Sequence, residues 1–301
     1  MNKILLAVCG GCMLFAGCKE NDTPLIFTNK AKADTSYLIS PVPATDAHNV
    51  LVEEFTGQSC SNCPAAHTVL EGIESGDPAG TVNIIGMYLW NNPQSNPCPG
   101  SSLDLRDSTA TNIANSSIFG GVSALPGGSV DRVPVSGVIQ LSSGAWSGAV
   151  TTQLSVADPL NLSVQSTYSA TTGLATIIVT VTYTQPVSIA QNISVVVVED
   201  SIIGMQEYPP FTPAYPSDFD TFYVFKNVFR GMVSTPPGGD LINTPSVQKE
   251  AGRVYRRTYT YKPKSVAPAI KPQNCRVIAF VNTNNGADYH IVQSAQCPLK
   301  P

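Results

Sequence analysis

Cys60 and Cys63 stand with two residues between them and Pro64 directly after, inside EEFTGQSCSNCPAAHTVLEGIE. Thiols at this spacing close a small disulfide. If the first lies at the start of a helix, the unpaired N–H groups and helix dipole there stabilise its thiolate and make it a nucleophile. The second thiol then resolves the mixed disulfide. The same residues allow two other outcomes. One is an inert structural disulfide; the other is half of a metal site, completed by His67 one helical turn past Cys63. The only other Cys-x-x-Cys, Cys9 to Cys12, lies in the apolar N-terminal stretch and closes no structural zinc set, so no metal is assigned.

The compartment decides whether a disulfide persists. Lys3, the apolar stretch Ile4 to Phe15 and small residues Ala16 and Gly17 lead to Cys18, and residues 1–17 read as a lipoprotein signal peptide. Cys18 then carries lipid and becomes the mature N-terminus, an anchor of several acyl chains. The apolar run is too short for a comfortable transmembrane span. The KEND segment after Cys18 resembles the surface-export signal of Bacteroidota lipoproteins, which implies a lipid-anchored outer-membrane protein at the cell surface. Of eight cysteines, Cys9 and Cys12 leave with the signal and Cys18 is lipidated, so Cys60, Cys63, Cys98, Cys275 and Cys297 remain in a compartment that permits disulfides. Cys275 and Cys297 flank two strand-like runs joined around Asn285-Gly286, and a cross-strand bridge there would close a loop of roughly 20 residues. Cys98 sits in the irregular NNPQSNPCPG loop and has no assigned partner.

Three kinds of element must position these residues. Residues 18–45 lack a clear period and carry three prolines, which predicts a flexible tether. From 46 to 154, strands NVLVEEFT and TVNIIGMYLW alternate with helical patterns, the first carrying Ala66, Val69, Leu70 and Ile73 on one face. This alternation predicts an α/β domain. From 155 to 301 the helical signals stop and period-two runs follow one another, which predicts an all-β, immunoglobulin-like sandwich. The chain of 301 residues is long enough for two such domains. Its net charge of −4 and 13% charged residues give no electrostatic footprint for nucleic acid.

The strand–CxxC–helix order resembles thioredoxin-like proteins. That resemblance implies a buried carboxylate six residues before Cys60, which is Glu54, unless Glu53 is the inward one. It also implies a cis-proline abutting the pair, at Pro126 in VSALPGGSV. Ser59 stands where thioredoxins carry tryptophan. Over most of the mature chain the sequence further resembles the outer-membrane lipoproteins related to the twenty-eight-kilodalton outer membrane protein of Bacteroidota. VLVEEFTGQSCSNCPAA, VSALPGGSVDR, VVVVEDSIIGMQ, KNVFRGMV and the closing VIAFVN and IVQSAQ runs carry that resemblance. It implies a thioredoxin-like domain followed by an immunoglobulin-like one, exported and lipid-anchored, with no cofactor and no established substrate.

Two functions follow from these readings. In the first, Cys60 attacks, Cys63 resolves and Glu54 assists proton transfer in thiol–disulfide exchange, with Pro126 shaping the substrate edge. In the second, the fold is a non-catalytic adhesion or binding module and the disulfide is structural. The proline-interleaved aromatics Tyr208, Phe211 and Tyr215 would then contact a protein, peptide or glycan partner.

Overall fold

In the computed structural model, residues 34–209, 218–242, 247–263, 269–286 and 288–301 are described. The expected signal peptide, Cys18, Phe211 and Tyr215 lie outside them. The chain is mostly β-sheet with few helices. In order it runs β1 (Asp34–Leu38), β2 (Val50–Thr56), α1 (Cys63–Gly76), β3 (Val82–Tyr88), α2 (Ser108–Asn115), β4 (Gly127–Val130) and α3 (Ser143–Gln153). Then follow β5 (Leu160–Ser169), β6 (Leu174–Tyr183), β7 (Gln191–Glu199), β8 (Ile202–Glu207), β9 (Phe219–Phe225), β10 (Val228–Met232), β11 (Asp240–Leu241), β12 (Arg253–Tyr261), β13 (Cys275–Thr283) and β14 (Ile291–Pro298).

One large sheet organises the molecule, in the order β14-β13-β7-β10-β3-β2-β4, with β11 paired to β7. β2 and β3 are parallel along their whole length, and β4 runs antiparallel to β2. Both β2 and β3 are buried on both faces, as the continuous apolar runs of their sequences require. Within this sheet the strands of the two halves of the chain meet through one register pair. β10 pairs antiparallel with β7 and touches β3 in parallel at Val228 and Gly86, where Gly86 N–H donates to Asn227 O at 2.7 Å. Strands from before and after residue 155 therefore share one sheet, because β10 offers its second edge to β3.

Alternation along β2 sends its side chains into two different cores. Val50 and Val52 meet Ala66 and Leu70 of α1 and the fully buried Trp146 of α3. Leu51 and Phe55 face the other way, into a core shared with Ile113 of α2, Val196 of β7 and Phe280 of β13. The sheet curls around this second core, and β14 returns to the start of β2. Asn49 N–H donates to Gln293 Oε1 at 2.8 Å, and Ser294 hydroxyl donates to Asn49 O at 2.8 Å.

A second sheet, β1-β12-β6-β5, lies over β7 and β13. Ile177, Val179 and Val181 of β6 and Tyr255 and Tyr259 of β12 pack there against Val195, Val197, Val277 and Ala279. β1 forms inside the segment expected to be tether. Its five residues pair antiparallel with Arg253 to Arg257, and Arg257 forks onto the Asp34 carboxylate at 2.6 Å through both nitrogens. β8 and β9 form a separate two-stranded hairpin, anchored by Ile202 and Phe225 against Tyr88 and Leu105. Among the described residues no helix is long and apolar enough to cross a membrane.

Candidate functional site

The sequence places Cys60 in the turn after β2 and Cys63 at the first position of α1, with Pro64 where a missing N–H costs nothing. Cys63 N–H donates to Cys60 O at 3.1 Å, and this tight turn sets the two Cα atoms 5.4 Å apart. The two cysteines form a disulfide. Both are completely shielded from solvent.

That shielding has identifiable parts. The Pro93–Ser95 turn sits on the loop: Ser95 hydroxyl donates to Thr56 O at 2.7 Å, and Ser59 N–H donates to Gln94 O at 2.9 Å. A Cβ at Gly57 would lie 2.1 Å from Gln94 O, so only glycine admits this approach. From the other side comes β8. The Gln206 side-chain amide donates to Gly57 O at 3.2 Å and Cys60 O at 3.1 Å, while Glu207 N–H donates to Gln58 O at 2.9 Å. The Cys98 thiol shares that acceptor at 3.0 Å, and burial pushes its pKa up. Carbonyls of Thr56, Gly57, Gln58 and Cys60 thus all accept bonds from the cover.

Glu54 lies on the α1 side of β2, where it is nearly inaccessible. Its Oε1 is 3.3 Å from His67 Nε2 but off hydrogen-bond geometry, and is otherwise without a partner. His67 Nε2 is also 2.9 Å from Thr56 Oγ1, and its Nδ1 is 2.5 Å from the Tyr223 hydroxyl. Burial opposes a charge on His67, but the Glu54 carboxylate outweighs it and raises the imidazole pKa. Burial, with Glu54 adding to it, likewise keeps the Tyr223 phenol protonated. Glu53 points to the opposite face. Arg132 grips it bidentately at 2.6 and 2.7 Å, with both groups buried.

His67 and Tyr223 line a groove of about 310 Å³ between α1 and β9. Glu71, Lys226, Tyr208 and Phe222 complete its walls, with Glu71 and Lys226 paired at 2.7 Å. Phe222 is 80% exposed and its hairpin neighbour Ile203 63%, an unusual display for large apolar side chains. Tyr208 packs edge-on to Tyr223 at 6.1 Å between ring centroids.

The Leu125–Pro126 bond is cis and immediately precedes β4. The expected Cys275–Cys297 bridge does not form, and both thiols are free. The register explains why. Cys297 lies opposite Val277, two residues along from Cys275, so the cysteines are diagonal neighbours on one face. Diagonal positions stand about 7–8 Å apart, beyond the reach of a disulfide.

Sequence reasoning did not find His48, Asp131, Asp158, Gln206 or Tyr223. His48 is clamped between Asp158 and Asp131, each at 2.8 Å, and all three are buried. The available signal was the Asp131-Arg132 dipeptide after β4. Both residues adopt positive φ and deliver opposite charges to two different partners.

The sequence model for the outer membrane protein Omp28 family matches residues 114–299. No curated protein matches the chain. Among solved structures, HBP35 of Porphyromonas gingivalis is similar with a TM-score of 0.63 at 17% identity, over 86% of this chain and 78% of its own. A domain of the outer membrane lipoprotein Omp28 from Porphyromonas gingivalis gives a TM-score of 0.32 at 13% identity, over 48% of this chain and 90% of its own. The first of these likenesses bears on fold alone.

Proposed function

This chain belongs to the Omp28 outer membrane protein family, and on that premise we propose that it is a lipoprotein anchored through Cys18, acting as a binding module at the cell surface. In this reading Cys60–Cys63 is a structural staple. The observation that carries it is the complete burial of both sulfurs beneath the Gln206 clasp. A thiolate must approach a disulfide along the S–S axis, so a pair with no accessible sulfur cannot turn over without opening its cover.

The strand order β3-β2-β4, the disulfide at the β2–α1 junction and Pro126 directly ahead of β4 support a thioredoxin-like origin for residues 46–154. The facing sheets after residue 155 support an immunoglobulin-like sandwich merged with it. The binding face is the groove between α1 and β9, with Phe222 and Ile203 on its hairpin and Tyr208 on its wall. Glu54 then serves His67 and Tyr223 rather than the cysteines.

Equilibration of the intact protein against thiol buffers, with trapping of free thiols, tests the staple. The expected reduction potential lies below about −300 mV. A value between about −270 and −120 mV, with Cys60 trapped in the folded protein, would restore thiol–disulfide exchange as the function.

A further inference from the structure

A second groove, sharing no residue with the first, has a volume of about 670 Å³, within the range of small-molecule sites. It lies between the α3–β5 connector, the β6–β7 loop and the turn that leads into β14. Its walls are largely aliphatic; Val156, at 44% exposure, and Ile189, at 39%, present apolar surface to solvent. Asp158, Asp288 and His290 line it, Asp288 and His290 Nδ1 are paired at 2.6 Å, and no lysine or arginine is among the described lining residues, which leaves Asp158 as the acid without a partner inside the groove.

Asp158 is the unusual member. It is 3% exposed, and its Oδ2 bonds His48 Nδ1, while its Oδ1 makes no hydrogen bond among the described residues. The other nitrogen of His48 is taken by Asp131, whose second oxygen accepts Leu51 N–H at 2.7 Å. One imidazolium is therefore shared by two buried carboxylates, leaving one negative charge without a counter-charge. An uncompensated buried charge is costly, and a cation beside it recovers that cost. The direction of titration agrees: burial raises the pKa of Asp158 although His48 opposes it.

We propose that this groove binds a small organic ammonium, with its cation at Asp158 and its apolar body against Val156 and Ile189. The charge balance selects a cation and the aliphatic walls select an organic one. Asp288 adds a second carboxylate to the lining.

Benzylamine, benzyl alcohol and benzoate share one apolar body and differ in charge, so calorimetric titration of the intact protein with each is the test. Benzylamine is expected to bind at least about tenfold more tightly than the alcohol, a difference of about 1.4 kcal/mol, with benzoate weaker still. Ile189→Arg, at an exposed position, places a guanidinium in the groove and is expected to abolish benzylamine binding without lowering Tm. Val156→Arg is the parallel variant, should the first fail to fold. Equal affinity for the amine and the alcohol, no binding of the amine, or amine binding that survives both variants would overturn the proposal. The Cys60–Cys63 potential reports separately on the staple and is untouched by either result.

Discussion

His48 and His67 are both imidazoles held by carboxylates, yet one is closed off by a carboxylate on each nitrogen, with Asp158 between it and the second groove, while the other itself lines a groove. His48 joins three segments distant in sequence: the start of β2, the turn after β4 and the connector into β5. It has a carboxylate on each nitrogen and no access to solvent. His67 has one carboxylate, and its other nitrogen faces the hydroxyl of Tyr223 on a hairpin that covers the cysteines. A charge enclosed by two opposite charges is a clamp. A charge with one opposite partner and a phenol at the edge of a groove can respond to what enters.

His48→Gln breaks the first arrangement and carries the largest expected effect. Asp131 and Asp158 would be left facing each other in the interior, and removing one partner of a buried ion pair costs about 3–5 kcal/mol. His67→Gln keeps a polar side chain at the groove edge and should cost about 1 kcal/mol. Urea denaturation of both variants measures the contrast, and equal losses would break the comparison.

The two sites also differ in how pH reaches them. The paired carboxylates push the His48 pKa up to about 10 against the opposing effect of burial, from an ordinary value of 6.5. Since the folded value lies above the unfolded one, the stabilisation is complete below pH 6.5 and is lost as pH rises toward about 10. Burial raises Asp131 and Asp158 as well, so their own loss of stability has the same sign but begins as pH rises through 3.8, and the fall above pH 6.5 is assigned to His48. Thermal unfolding between pH 6 and 10 should therefore show a falling Tm, and His48→Gln should flatten most of that slope. A Tm that rises over this range would contradict the clamp.

Gly57→Ala sharpens the contrast from the side of the hairpin and cover. The added methyl would meet the Gln94 carbonyl at 2.1 Å, and the backbone of the Pro93–Ser95 turn would have to move. The expected cost is about 1–3 kcal/mol, typical of overpacking. The more telling readout is thiol trapping under mild reductant. Cys60 and Cys63 should become reducible in the variant while the wild-type pair resists.

Much of the local architecture was legible in the sequence, for physical reasons that also mark the limit. The apolar period of α1 and the continuous runs of β2 and β3 placed the cysteine pair at a strand–helix junction, and the four-residue turn from Cys60 to Cys63 fixed its geometry. The Cys275–Cys297 expectation failed on register. Sliding one strand past another by two residues keeps every side chain on its face, so the hydrophobic pattern cannot see the shift. The merging of both halves into one sheet depends on a single pair, Val228 with Gly86, which leaves no periodic trace. β1 was hidden because an exposed edge strand needs no apolar alternation. The His48 clamp unites residues 83 and 110 positions away from it, a relation that only the folded chain reveals.

Glu54→Gln separates the two histidines with little expected change in stability. Glu54 is the principal group raising the His67 pKa, and burial acts the other way. Without the carboxylate's charge the burial effect prevails, so the His67 pKa should fall below 6.5. His48, which has Asp131 and Asp158 as partners, should titrate as before. Two-dimensional NMR of the imidazole protons follows both residues in one sample. A second variant, Phe222→Ser, tests what the responsive histidine is for. This ring is 80% exposed, so its loss should change stability by no more than about 0.5 kcal/mol. If the groove binds a surface partner, entry of that partner should shift the His67 resonance in the wild type and leave it unshifted in Phe222→Ser. A shift of His48 instead would move the response to this partner to the His48 clamp and reverse the roles assigned to the two imidazoles.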